Sequence, residues 1–400
     1  MRSTFLDLKD NKNTLLKKSI LRHCITNGDY SIADLSSLLN TSVPTVTKLI
    51  QELIEDGFLV DLGKIGTSGG RRPSIYGLNP DAGYLVGVDI RHRHACIVVS
   101  DFKGNVVSME EEIPFVMKSD EDAIKRISAS IKGYFNKKGL DWTRVLGCGI
   151  SLTGRVNPRT GYSLSFSTDE NTPLDKQLEE NLGVPVIIEN DSRAMTYGEY
   201  VCGHGGKEKN ILFINISWGL GMGMILDGRL FYGKSGFSGE IGHFPMLDNG
   251  KICRCGKIGC LETGASGSAL HKMILEALSQ GKASMLSPKF TNGEEVIIKD
   301  IIAAIKKEDV LAIEKVEEVG ANLGRGIAGL INIFNPELVI IGGKLAVAGD
   351  YLMLPVKSNV KKLALNIVNR DTKIKFSKLG RLAAPLGDCM LIRSRLLGVL

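Results

Sequence analysis

Gly239-Glu240-Ile241-Gly242-His243, followed after a short loop by Cys253-Arg254-Cys255-Gly256-Lys257-Ile258-Gly259-Cys260-Leu261-Glu262, is the stretch from which the rest of the chain can be read. Three cysteines fall within eight positions, the first two separated by one residue and the third following a glycine-containing turn. With His243 they supply four soft or borderline ligands, enough to close a tetrahedral Zn2+ site and leave no position for water. A closed site of this kind is structural: it orders a loop that has no other obvious means of staying ordered. Glu240 precedes His243 by three residues and Glu262 follows Cys260 by two. Closing the loop therefore brings two carboxylates toward one place, where their oxygens suit the hydroxyls of a sugar. His243, with one ring nitrogen on the metal, keeps the other for a partner that fixes the ring, and a bound sugar could be that partner. The same residues also suit a ribbon that only staples a loop, or reduced cysteines that bind nothing.

Composition narrows the class. The chain has 400 residues, 43% of them hydrophobic, enough for two or three domains with sizeable cores. No apolar run approaches the length of a membrane span. Met1-Arg2-Ser3-Thr4-Phe5-Leu6-Asp7 lacks the apolar centre of a signal peptide, so a cytoplasmic protein is expected. Cys24, Cys96, Cys148, Cys202 and Cys389 stand singly in apolar surroundings, which fits buried thiols better than disulfides. A net charge of +6 permits nucleic-acid binding and leaves the decision to local arrangement.

The first eighty residues supply that arrangement. Leu15, Leu16, Ile20, Leu21 and Cys24 recur at helical spacing over about 14–27. Ser31 then offers an N-cap to a second helix, with Ala33, Leu35, Leu38 and Leu39 available for its core. A third helix opens at Ser42 with Pro44 in its first turn and turns Val46, Leu49, Ile50 and Leu53 inward. Ser42, Thr45, Thr47, Lys48 and Gln51 remain on the other side, the short hydroxyl and basic groups that major-groove reading and phosphate contact require. A hairpin with Gly69-Gly70-Arg71-Arg72-Pro73 at its tip completes a winged helix-turn-helix pattern, Arg71 and Arg72 being placed to reach a minor groove or its phosphates.

Beyond Asn79-Pro80 the chain alternates strands and helices, as an α/β sheet requires. Runs at 84–90, 95–101, 145–152 and 184–189 read as strands, and the alternation restarts at 210–216 and 222–226. Two similarly built lobes facing a ligand cleft are expected. Residues 282–295 read as a surface insertion, and 314–329 and 384–400 as amphipathic helices.

The pattern GEIGH, then CxCGxxGCxE, resembles the signature of the ROK family of bacterial sugar-responsive repressors and sugar kinases, and the likeness runs over essentially the whole chain. It implies an actin/hexokinase-like, ribonuclease H-like fold of two lobes behind the winged helix-turn-helix. The domains would span 1–80, 81–195 and 196–400, with the C-terminal helix free to return to the first lobe. The amino-terminal head matches the family's repressors; its kinases generally lack one. By resemblance, Asn190 and Asp191 match the kinases' Asn-Asp pair, in which the aspartate is the general base. The Ser151–Val156 loop around Gly154 resembles a sugar-contacting loop. Gly154, Asn190, Asp191, Glu240, His243 and Glu262 together form the expected sugar-binding set.

The phosphate side departs from the kinases. Where these carry an aspartate followed by two glycines and a threonine, this chain has Asp89-Ile90-Arg91-His92-Arg93-His94, and bulky cations replace the glycines that close approach to phosphate needs. Ser217-Trp218 likewise stands where Gly-Thr is usual, and Asn335–Gly343 resembles the strand and turn near the family's adenosine pocket. ATP is therefore not expected, and Asp191 would be catalytic only in a kinase. The expectation is a cytoplasmic homodimeric or homotetrameric repressor that binds operator DNA and a sugar or sugar-phosphate effector. An active sugar kinase with an added head is the alternative.

Overall fold

The computed structural model describes residues 6, 11–64, 73–116, 118, 120, 122–166 and 171–399. The chain divides into two compact units, one running to Asp191 and resuming from Pro385, the other spanning Ser192–Ala384. No helix among the described residues is long and apolar enough to cross a membrane.

The first unit begins with α1 (Lys12–Asn27), β1 (Tyr30–Ser31), α2 (Ile32–Leu38), α3 (Val43–Glu55), β2 (Leu59–Lys64) and β3 (Ser74–Leu78). Each helix start is closed by a side chain. Asn11 accepts the Thr14 N–H at 2.9 Å, Ser31 and Asp34 form a reciprocal capping box, and Ser42 caps α3 ahead of Pro44. Val46, Leu49, Ile50 and Leu53 are buried, as their spacing predicts. The core of α2 differs from expectation. Leu35 alone of the four proposed residues is fully buried, Ala33 and Leu38 are exposed, and Ile32 packs in their stead. A seven-residue helix makes barely two turns, so one full buried position plus its flanks is all that it can offer. β3 lies between β1 and β2, giving a small antiparallel sheet. Arg71 and Arg72 lie outside the described residues.

The unit continues with β4 (Tyr84–Ile90), β5 (His94–Asp101), β6 (Val106–Pro114), α4 (Ala123–Lys138), β7 (Val145–Leu152), β8 (Val156–Asn157), β9 (Tyr162–Ser163), α5 (Leu174–Leu182) and β10 (Val186–Asn190). Its sheet has the order β10-β7-β4-β5-β6, parallel across the first three strands and antiparallel beyond. The head's core does not stop at residue 80. Phe102, at the end of β5, and Leu397 share one buried cluster with Phe58, Leu59 and Leu78, and the rings of Phe58 and Phe102 meet edge-on at 5.2 Å.

In the second unit, α6 (Asp191–Cys202) leads from its boundary residue into β11 (Ile211–Ile216), β12 (Leu220–Leu226), β13 (Arg229–Leu230), α7 (Gly267–Ser279), α8 (Ser287–Thr291), α9 (Ile298–Lys306), α10 (Val310–Phe334), β14 (Leu338–Gly342), α11 (Asp350–Leu363), α12 (Asn366–Asn369) and β15 (Lys373–Phe376). The sheet order is β13-β12-β11-β14-β15, with α7, α9, α10 and α11 supplying the core on it. Residues 282–295 lie largely at the surface, as expected, but they are anchored to the core. Leu286 is buried in this core, Phe290 packs on it, and Asp309 accepts from the Ser284 hydroxyl and the Met285 N–H. Two apolar side chains and the bonds to Asp309 anchor the segment.

The last helix, α13 (Ala383–Leu396), returns to the first unit from Pro385 onward. It approaches the sheet so closely that a Cβ on Gly87 would overlap the Pro385 carbonyl and one on Gly149 the Asp388 carbonyl. Asp388 is fully buried, takes a 2.7 Å hydrogen bond from the Ser151 hydroxyl on one oxygen and leaves the other without a hydrogen-bond partner. Burial, reinforced by Asp89 and Glu189, holds its carboxyl well above the usual aspartate range. Farther along, Arg393 donates to the Phe102 and Lys103 carbonyls at 3.1 and 3.0 Å.

Gly149→Ala should lower unfolding stability by about 2–3 kcal/mol or more, because the helix backbone must retreat; denaturant titration reads it. The raised Asp388 carboxyl means that the folded state holds a proton the unfolded chain has released. Its stabilising contribution is full below an unfolded aspartate's value of about 3.9 and is lost as pH rises above it. Asp388→Asn should flatten that decline in unfolding curves taken from acid to alkaline buffer.

Candidate functional site

The metal loop belongs to the second unit. A one-turn helix, Ile241–His243, sets the histidine, and isolated bridges join Pro245 to Cys260 and Ile252 to Ile258. Between the latter the chain closes a tight knuckle: the Cys253 N–H donates to the Lys257 carbonyl and the Gly256 N–H to the Cys253 carbonyl, both at 2.8 Å. Gly256 and Gly259 take positive φ angles of 84° and 75°, which a residue with a Cβ would resist.

The ligand atoms of His243, Cys253, Cys255 and Cys260 all lie within 4.8 Å of one another. Cys253 Sγ stands 3.6 Å from His243 Nδ1, and Cys255 Sγ 3.6 Å from Cys260 Sγ. Burial and the adjacent thiols push the Cys260 thiol up, whereas the Lys257 N–H draws Cys255 down. Four converging donors, three of them thiols that repel one another once ionised, could hold a metal ion and are stabilised by one. His243 Nε2 faces away from the thiols, 3.7 Å from Glu240 Oε2.

Glu262 stands on the one-turn helix Leu261–Thr263 and is 5% exposed. Its Oε2 accepts the Leu220 N–H at 3.0 Å, and Arg254 reaches both oxygens, Nε to Oε1 at 3.1 Å and Nη2 to Oε2 at 3.4 Å. Arg254 escaped the sequence reading, which treated it as a spacer between cysteines. Its position between two ligands and eight residues from a buried carboxylate was the available signal.

In the first unit, Gly154 turns the Ser151–Val156 loop with φ +96°, and a Cβ there would meet Ser165 Oγ. Ser151 and Leu152 are buried; Thr153, Gly154 and Arg155 are exposed. Asn190 ends β10, and its side-chain amide donates to the Gly154 carbonyl at 2.9 Å and to Asp191 Oδ1 at 3.0 Å. The Asn-Asp pair and the loop are thereby fastened to each other.

At the end of β4, Arg91 folds back onto its own strand: Nε and Nη2 both lie 2.6 Å from Asp89 Oδ2, and Asp89 is buried. The cation is committed to its neighbour, and the turn it occupies has no glycine. The second turn, between β11 and β12, keeps its glycines while Trp218 lies half-exposed above His271, ring centroids 5.6 Å apart.

On the exposed side of α3, the Ser42 and Thr45 hydroxyls bond to each other at 2.8 Å and the Thr47 hydroxyl donates to the Val43 carbonyl at 2.8 Å. Lys48 extends into solvent, its nearest anion being Glu52 at 3.9 Å. Ser42, Thr47, Lys48 and Gln51 are exposed and Thr45 is half-buried.

Residues 85–395 match the model of the ROK family, and residues 15–60 match a winged helix-turn-helix DNA-binding model. A xylose repressor of Caldicellulosiruptor bescii is 31% identical over 96% of this chain and 98% of its own length. The DNA-binding transcriptional dual regulator NagC of Escherichia coli is 29% identical over 92% and 89%. Among solved structures, a ROK family transcriptional regulator described as a homolog of E. coli MLC covers 98% of both chains with TM-score 0.82 and 28% identity. A ROK family glucokinase from Streptomyces griseus, solved with glucose and AMPPNP, covers 77% of this chain and 99% of its own with TM-score 0.66 and 28% identity. The likeness extends from the metal-loop signature across most of the chain, and the protein belongs to the ROK family.

Proposed function

We propose that the protein is a sugar-responsive transcriptional repressor of carbohydrate metabolism, acting in the cytoplasm as a homodimer or homotetramer. The observation that carries this reading is the extent of the likeness: a repressor fold matches this chain to 98%, head included, where a glucokinase matches 77%. The head, residues 1–80, reads operator DNA through Lys48 and the hydroxyls of Ser42, Thr45 and Thr47, with Arg71 and Arg72 of the wing adding phosphate or minor-groove contact. Residues 81–195 and 196–400 form the two lobes, the last helix returning to the first of them.

The effector is a sugar or sugar phosphate held by Gly154, Asn190, Asp191, Glu240, His243 and Glu262. Polar groups of this kind, with Glu262 buried among them, discriminate by the hydrogen bonds that a wrong sugar leaves unmade. The metal is Zn2+, bound by His243, Cys253, Cys255 and Cys260 in a structural role. Phosphoryl transfer is lost and ATP is not a cofactor: the turn after Asp89 supports this, since it carries Arg91, paired with Asp89, and has no glycine to let a phosphate approach the backbone. Asp191 then orients a hydroxyl instead of taking its proton. Coupling of effector to DNA requires only a difference in sugar affinity between two states, about 1–3 kcal/mol.

Operator binding titrated against a sugar library, with and without ATP, tests the reading as a whole. A sugar that shifts the DNA isotherm without phosphate transfer is expected. ATP-dependent turnover that disappears in Asp191→Asn would establish the kinase alternative. Lys48→Ala should weaken DNA binding across all sequences and reduce the salt slope by about one, as fluorescence anisotropy at several salt concentrations will read. Cys255→Ser should lower zinc content by elemental analysis and, with it, the sugar response.

A further inference from the structure

We infer that Arg254 is the positioning residue through which the metal loop orients the Glu262 carboxylate toward a neutral sugar hydroxyl. This rests on the sugar-binding reading above and adds to it a residue outside the expected ligand set.

Glu262 is buried, and a polar side chain at that depth costs free energy unless donors face it. Three do. Arg254 Nε meets Oε1, while Arg254 Nη2 and the Leu220 N–H meet Oε2. A carboxylate offers about two acceptor directions per oxygen, so these contacts fill Oε2 and leave one direction on Oε1. The guanidinium therefore decides which oxygen stays available.

Arg254 is held from the other side by the chain. It is the single residue between Cys253 and Cys255, inside the knuckle closed by the Cys253–Lys257 and Gly256–Cys253 hydrogen bonds. Drawing the four donors together fixes the backbone from which its side chain reaches. That side chain is 68% exposed, so its role is polar and not core packing. Gly219 leaves the room: a Cβ there would stand 2.8 Å from Glu262 Oε2 and 3.2 Å from Arg254 Nη2. Three segments, the metal loop, the glycine turn and the Leu261–Thr263 helix, thus converge on one carboxylate.

The charge balance sets the ligand class. With Arg254 paired to it, Glu262 accepts a hydrogen bond without calling for a cation, which suits a neutral hydroxyl. Without Arg254 the same carboxylate is uncompensated and favours an ammonium group. Lysine cannot replace the fork, because it offers a point charge where two oxygens must be held at once.

The test uses the full-length zinc-loaded protein, with calorimetric titration of D-xylose, D-glucose, N-acetyl-D-glucosamine and D-glucosamine. The native protein is expected to bind a neutral sugar. Arg254→Ala should bind it about tenfold more weakly at unchanged zinc content, a loss that does not add to that of Glu262→Gln. Arg254→Lys should fall between, and Arg254→Ala should gain relative preference for D-glucosamine. Native affinity in zinc-replete Arg254→Ala overturns the inference and leaves the sugar reading standing. Absence of binding to every sugar by the native protein overturns both. Should the alanine variant lose zinc, Arg254→Lys, which keeps stem and charge, becomes the deciding comparison: native affinity there overturns the inference.

Discussion

Between His243 and Cys260 the chain buries apolar surface at its near end, where Leu247 joins the core of the second unit and Met246 packs on it, but Ile252 and Ile258 farther along are 70% and 61% exposed. Beyond that anchor hydrophobic burial offers little, and the knuckle itself rests on four convergent donor atoms and a handful of backbone hydrogen bonds. Everything proposed for the sugar depends on this constraint. Glu240 lies against one side of the histidine ring, and Glu262 is reached by an arginine from inside the knuckle. A ligand cluster that looks purely structural is thus wired to the carboxylates expected to recognise the effector.

The first unit meets a different constraint. Its last helix must lie against the middle of a sheet, and glycines at 87 and 149 make room for backbone where side chains would ordinarily stand. One face of that helix holds Asp388 on Ser151, at the base of the loop carrying Gly154; its far end contributes Leu397 to the core of the head. The head is therefore not an appendage on a tether. Its hydrophobic core is completed by Phe102 and Leu397, so a boundary drawn at residue 80 divides composition more cleanly than it divides packing.

Much of the architecture was legible because its signals are local. Caps at Ser31 and Ser42, the stripe Val46, Leu49, Ile50 and Leu53, and the alternation of strands with helices depend on neighbours within a few residues. Legibility failed where a single long-range contact outweighed local composition. The polar run 282–295 is anchored by Leu286 and Phe290, and α2 buries Leu35 with Leu39 and Ile32 half-buried against the same core, while Ala33 and Leu38 stay exposed.

From its order of residues alone, the chain specified the four metal-ligand candidates, the third helix of the head and a turn after Asp89 that has no glycine, because each is written within a short window whose geometry follows from spacing. Tertiary structure alone decided the rest. Ser151 meets Asp388 across 237 positions, the Leu220 N–H meets Glu262 across 42, and Arg254 reaches both oxygens of Glu262. Such pairings depend on how strands and loops are brought together in space, and periodicity along the chain carries no record of that.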